Sequence, residues 1–230
     1  MKLLVSVRDV DEALAAASAG ADFIDLKEPR AGALGALPPA TIRAVVAALR
    51  RRHPGRPVSA TVGDFAPHEV DAVLERVDLT AACGVDYVKV GVAPGAHALL
   101  ARLALRREAI VPVFITDAGV DAALISAACE GPFPALMLDT ADKLQGSLLE
   151  RLDDAPLRRF VEQVRRHGKL SGLAGALRAA DLPRLQALAP DFAGFRSAVC
   201  DGARTGALDA ARVERLAAAL TWPANEAAPA

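Results

Sequence analysis

Lysine is scarce in this chain, and several other things are missing with it. Of 27 basic residues only five are lysine: Lys2, Lys27, Lys89, Lys143 and Lys169. Aromatic residues make up 4%, too few for the stacking platforms that hold single-stranded nucleic acid. The formal net charge is -1, without the basic excess a nucleic-acid surface needs. No apolar run approaches the roughly 18 residues of a membrane span. The opening MKLLVSVRDVDEA turns acidic within its first turns, unlike a signal peptide. The cysteines, Cys83, Cys129 and Cys200, are odd in number and widely spaced, with no CxxC or Cys/His spacing. Reduced thiols in a cytoplasm are expected, and no zinc site.

What is present is a large apolar fraction, 53% of 230 residues, enough for one globular domain with a sizeable core. Short apolar runs alternate with longer amphipathic ones. The strand candidates are Leu3–Val7, Phe23–Lys27, Val58–Val62, Tyr87–Gly91, Ile110–Thr116, Ala135–Thr140, Leu170–Gly175 and Phe192–Arg196. A helix-like segment follows each one, the first with Asp9 as its expected cap. Eight strand–helix units predict a parallel sheet closed as an α/β (β/α)8 TIM barrel, one domain over residues 1–220 with a tail at 221–230. An open doubly wound sheet fits less well, because no GxGxxG follows the first strand. Apolar helix stretches such as DAALISAAC point to a homo-oligomer.

Barrels of this kind place their chemistry at the C-terminal strand ends. Three of the five lysines fall there: Lys27, Lys89 and Lys143. Arginine keeps its proton in proteins, whereas lysine loses it when burial and like charges lower its pKa. A neutral amine can attack a carbonyl. The lysine cluster therefore reads as Schiff-base or proton-transfer chemistry on a carbonyl substrate. Strand alternation puts Asp25 with Lys27, and Tyr87 with Lys89 and Gly91, on single faces. Salt bridges of Asp25 with Lys27 and of Asp139 with Lys143 are the competing, structural explanation. Asp139 and Lys143 stand four apart across the mouth. Asp9, Asp64 and Asp117 serve equally as caps or as catalytic groups.

A second signal is for phosphate. SGLAGAL offers Ser171, Gly172, Gly175 and Ala176 after strand seven, and GFRSA offers Gly194, Arg196 and Ser197 after strand eight. Backbone amides in such loops bind phosphate in many barrels, with Thr205 and Gly206 able to close over it. Tight turns are the plain alternative for the glycines. His53, His68, His97 and His167 sit on helices or their ends and read as solvent-facing. Arg50–His53 suits a helix C-terminus.

The strings DLKEPRAGALGA, DYVKVGV, LDTADKLQGSLLE, SGLAGAL and GFRSAVCDGARTG span nearly the whole chain. In them the sequence resembles the (5-formylfuran-3-yl)methyl phosphate synthases, also called 4-(hydroxymethyl)-2-furancarboxaldehyde-phosphate synthases, of methanofuran biosynthesis. The resemblance implies a metal-free, cofactor-free lyase of class I aldolase type. Its substrate would be two molecules of glyceraldehyde 3-phosphate. The resemblance also implies Lys27 as Schiff-base lysine, Lys89 as proton acceptor, and Asp139 with Lys143 in support. An enamine would attack the second aldehyde, and loss of water would give the furan. A generic Schiff-base aldolase or isomerase on another phosphosugar, and a non-catalytic phosphosugar-binding barrel, remain alternatives at this level.

Overall fold

The computed structural model describes residues 1–143 and 145–221. The expected tail at 221–230 therefore lies almost wholly outside the described residues. Eight parallel strands close in sequence order into a barrel: β1 (Lys2–Val7), β2 (Phe23–Leu26), β3 (Val58–Thr61), β4 (Tyr87–Val92), β5 (Ile110–Ile115), β6 (Ala135–Asp139), β7 (Leu170–Leu173) and β8 (Phe192–Phe195). Around them run α1 (Val10–Ser18), α2 (Pro39–Arg52), α3 (Val70–Ala81), α4 (His97–Leu103), α5 (Ala122–Glu130), a short α6 (Leu148–Arg151), α7 (Asp154–Arg166), α8 (Leu182–Leu188) and α9 (Ala210–Thr221). The (β/α)8 barrel expected from the alternation is the fold. Helix α6 was not expected; Ser147 and Glu150 form a reciprocal capping box that starts it.

Strand alternation splits the apolar residues into two cores. Outward-facing residues such as Val5, Ile24, Leu136 and Ala193 pack against the helices in one large cluster. A smaller cluster, with Leu4, Val111, Met137 and Phe192, fills the barrel interior. On α5, Leu124, Ile125 and Cys129 are buried against the barrel.

The strand registers fix which interior residues meet. Following the pairing round the barrel, with the stagger an eight-stranded barrel requires, brings side chains from alternate strands to common heights. Phe23, Tyr87, Ala135 and Phe192 form the lowest even-strand layer. Asp25, Lys89, Met137 and Gly194 form the next. Lys27, Gly91, Asp139 and Arg196 form the uppermost, at the mouth. At the bottom the Phe23 and Phe192 rings lie 5.6 Å apart, Lys2 Nζ stands 5.5 Å over Phe23, and an apolar cavity of about 400 Å³, partly open to solvent, lies among Phe23, Tyr87 and Phe192.

Candidate active site

The interior charges pair within layers rather than along strands. Asp25 and Lys27 do share a face, but two residues of strand separate them by roughly 7 Å. The register instead sets Lys89 level with Asp25, and Lys89 Nζ lies 3.1 Å from Asp25 Oδ1. Ser6 and Ser59 hydroxyls complete the shell, donating to Asp25 at 3.0 and 2.6 Å. Lys27 is level with Asp139, and its Nζ lies 3.6 Å from Asp139 Oδ2. Asp25 is thus the partner of Lys89, not of Lys27 as the strand face alone suggested. The Asp139–Lys143 pair is present, with Lys143 also donating to the Thr140 carbonyl and, at 3.4 Å, to its hydroxyl.

All four strand-borne charges are nearly sealed from solvent: Asp25 at 1% exposure, Asp139 at 3%, Lys89 at 4% and Lys27 at 8%. Burial lowers the Lys27 pKa most. Lys143 and Lys89 push the same way and Asp139 and Asp25 oppose, leaving it at about 8 rather than 10.5. Burial alone would raise the two carboxyls. Asp25 is nonetheless held below its ordinary value by Lys89, Lys27 and the Ser59 hydroxyl. Asp139 is held down by Lys143, Lys27 and the Thr140 amide. The site sets two carboxyls, both held below their ordinary values, beside an amine whose pKa of about 8 leaves a minor unprotonated fraction at neutrality.

The β2–α2 loop shapes the rim above Lys27. The Lys27 amide still donates to Val7 O at 3.0 Å, so its backbone is held as firmly as in the strand. Glu28 caps a single turn, Pro29–Ala31. Gly32 follows at φ +108°, where a Cβ would overlap the Asp64 carboxylate. Asp64 accepts from the Leu34 amide at 3.1 Å. It is therefore a loop anchor, as is Asp117, which accepts from Asp142 N and Arg151. Asp9 caps α1 through the Glu12 amide. Leu34 turns inward and occupies the place of a side chain at Gly91, where a Cβ would lie 2.7 Å from Leu34 Cδ1.

The residues expected to hold phosphate separate into two groups. Because β7 ends at Leu173, Ser171 and Gly172 lie inside the strand, well below the mouth. Ser171 is bonded to Asp191 through its amide and hydroxyl, at 2.7 and 2.8 Å. Gly172 is glycine because the Phe192 ring fills its side-chain space. Gly175, Ala176, Gly194 and Ser197 do line one cavity with Lys27, Lys89, Asp139 and Lys143. It encloses about 500 Å³, part of it open to solvent. Gly175 and Ala176 take positive φ, 112° and 48°. The amides of Gly175, Ala176 and Leu177 have no acceptor among the described residues, and Ser197 opens a short turn after the neighbouring strand β8.

Arg196 has a different occupation from the expected one. Its five N–H groups go to Arg204 O, Ser6 O, Gly206 O and both oxygens of the buried Glu12, at 2.5 to 3.1 Å. Glu12 also receives Arg8, and Arg8 binds Thr205 O at 2.9 Å. Arg8 and Arg196 thus grip three successive carbonyls of the loop after β8. That loop carries Arg204, half-buried and lining the cavity, which the sequence reading passed over. His68, His97 and His167 are exposed; His53 is half-buried beside Ser18, at 3.3 Å. All three cysteines are buried and unpaired. Among the described residues no helix is long and apolar enough to cross a membrane.

Known proteins resemble this chain in sequence and in fold. The family model for 4-HFC-P synthase matches residues 3–217. A Methylorubrum extorquens protein described as a candidate (5-formylfuran-3-yl)methyl phosphate synthase is 43% identical, over 95% of this chain and 91% of its own length. The (5-formylfuran-3-yl)methyl phosphate synthase of Methanosarcina acetivorans is 35% identical, over 95% of this chain and 98% of its own. Among solved structures, a 3-hexulose-6-phosphate synthase superposes with a TM-score of 0.62 at 22% identity, covering 96% of this chain and all of its own. Phosphoribosyl anthranilate isomerase of Thermus thermophilus gives 0.63 at 18%, over 96% of this chain and 98% of its own. These last two share the fold.

Proposed function

The chain belongs to the 4-HFC-P synthase family, and on that premise we propose that it joins two triose phosphates into (5-formylfuran-3-yl)methyl phosphate through an imine on Lys27. The observation that carries the assignment is the Lys27 amine, buried at the mouth with its pKa drawn down to about 8. A useful fraction is then unprotonated near neutrality, as nucleophilic attack on a carbonyl demands. The pathway served would be that of a methanofuran-type carrier, and the reaction needs no cofactor.

The steps follow from the product's connectivity. Lys27 Nζ condenses with carbon 1 of glyceraldehyde 3-phosphate and water leaves. The iminium draws electrons from carbon 2, whose proton passes to a base. Lys89, one layer below and oriented by Asp25, is placed for that transfer. The enamine then collapses and expels phosphate from carbon 3. The remaining three-carbon enol attacks the second triose through its terminal carbon. In the product the formyl and phosphomethyl groups stand at ring positions 5 and 3. That pattern requires attack at carbon 2 of the second triose, whose carbon 1 oxygen then closes the ring. The second molecule therefore reacts as the 2-ketone, the isomer reached from the aldehyde through the enediol by moving a proton from carbon 2 to carbon 1 and the hydroxyl proton from one oxygen to the other. This refines the simpler picture of attack on a second aldehyde. Two dehydrations make the furan, and hydrolysis of the imine frees Lys27. Two trioses thus give the furan phosphate, one phosphate and two waters. Asp139, held in turn by Lys143, lies against Lys27 and offsets the positive charge of the iminium.

Borohydride tests the assignment. The protein is incubated with glyceraldehyde 3-phosphate, reduced, digested and analysed by mass. An adduct on Lys27 is expected, together with phosphate release and near-ultraviolet furan absorbance. Labelling of Lys89 instead would exchange the two roles. A catalytically active protein with no labelled lysine would remove the imine altogether.

A further inference from the structure

Two phosphorylated trioses in one cavity need two phosphate sites, a requirement that rests on the reading proposed above. The amides after β7, with the turn at Ser197, supply one. The other calls for a cation with donors to spare. Five cationic side chains line the cavity: Lys27, Lys89, Lys143, Arg196 and Arg204. Lys27 is the nucleophile. Lys89 is held one layer down by Asp25. Lys143 directs its three donors at Asp139 and Thr140. Arg196 spends all five of its donors on protein acceptors. Arg204 makes one bond, from Nη2 to Gly32 O at 3.0 Å. Among the described residues it is the cavity cation with a planar donor fork still open, the shape that suits a phosphate.

Its position says which phosphate. The cavity at the barrel floor is lined mainly by apolar side chains, Phe23, Tyr87 and Phe192 among them, and suits no phosphate, so both trioses enter by the polar mouth. The first must reach Lys27; the second lies over it, nearer the rim. Arg204 stands on that rim, reaching from the loop after β8 to Gly32 of the β2–α2 loop, three strands round the barrel from the β7 amides. We propose that Arg204 binds the phosphate of the second triose, the one not attached to Lys27 and the one the product keeps. The Gly32 carbonyl holds the guanidinium ready, and the Arg8 and Arg196 bonds to the loop backbone fix where it is presented.

Glycerol 3-phosphate separates this proposal from the imine reading, because it has the phosphate but no carbonyl. Equilibrium dialysis should find two molecules bound per native chain and one per Arg204→Ala chain, with Arg204→Lys binding two, the second more weakly. With glyceraldehyde 3-phosphate, Arg204→Ala should keep borohydride labelling of Lys27 and release of the first phosphate. Furan formation should fall about 30- to 100-fold. Three results would each overturn the proposal: one bound glycerol 3-phosphate in the native protein, two in Arg204→Ala, or labelling that falls by the same factor as furan formation. Absence of labelling in the native protein would sink the imine and leave the dialysis count to stand alone.

Discussion

The floor and the mouth of this barrel are built from the same strands and follow opposite rules. At the floor, Phe23, Tyr87, Ala135 and Phe192 line the interior, and Gly172 yields its space to a ring. Two layers up, Lys27 and Asp139 face each other, with Gly91 yielding space to Leu34. The middle layer is mixed: Asp25 and Lys89 share it with Met137 and Gly194. Four residues of each even strand, about 13 Å of chain, thus carry the interior from apolar packing to ionised chemistry. The difference teaches that stability and reactivity are separated along the strand axis. A substitution should act on one or the other according to its layer.

The mouth gives the largest expected effect. Lys27→Met should lower furan formation at least about a thousandfold, with a cooperative thermal transition retained. Lys27→Arg should be equally inactive despite keeping its charge, and near-normal turnover in Lys27→Arg would make Lys27 an electrostatic residue only. The middle layer comes next. Asp25→Asn breaks the buried Asp25–Lys89 pair, at a cost of about 4 kcal/mol in urea unfolding. A change below about 1 kcal/mol would mean that the layer does not depend on this pair. At the floor, Phe192→Ala should cost about 3 kcal/mol through the cavity it leaves, while borohydride labelling of Lys27 stays near native. Loss of labelling there would show the two ends to be inseparable.

The smallest effect is a pH dependence. Below about pH 8 Lys27 is protonated in folded and unfolded chains alike, and the folded state bears the full burial penalty. Between about 8 and 10.5 the unfolded chain holds the proton and the folded chain does not, so stability rises with pH. Lys27→Met should therefore be the more stable protein at pH 7, by up to about 3 kcal/mol. The gap should close by the upper end of that range. Asp139 keeps Lys143 in this variant, so no acid is orphaned. A gap independent of pH would count against the lowered pKa.

Much of this was legible in the chain. The eight-fold alternation gives the barrel, and the scarcity of lysine singles out Lys27, Lys89 and Lys143, which the fold gathers into one cavity. What stayed hidden depended on long-range geometry. Period-two alternation says that Asp25 and Lys27 share a face; only the barrel stagger says that their true partners are Lys89 and Asp139. Strand β7 reads as longer than it is, because SGLAGAL is apolar and small throughout, and that error lifts Ser171 and Gly172 toward the mouth. The two arginines after β8 look alike in sequence. Which one is saturated depends on Glu12, 184 residues away from Arg196.

That last contact has a consequence for how the molecule is made. Glu12 emerges from the ribosome 184 residues ahead of Arg196. Until β8 arrives, a nascent chain has an open sheet edge along β1, a carboxylate with only Arg8 to meet it, and no fixed path for the loop that bears Arg204. Contacts of such sequence separation are slow to form and late to reward the chain for closing. Synthesis therefore reaches Lys27, Lys89 and Lys143 well before the mouth they share can exist. Competence should arrive in one step, when the final strand docks and Glu12 acquires its second guanidinium.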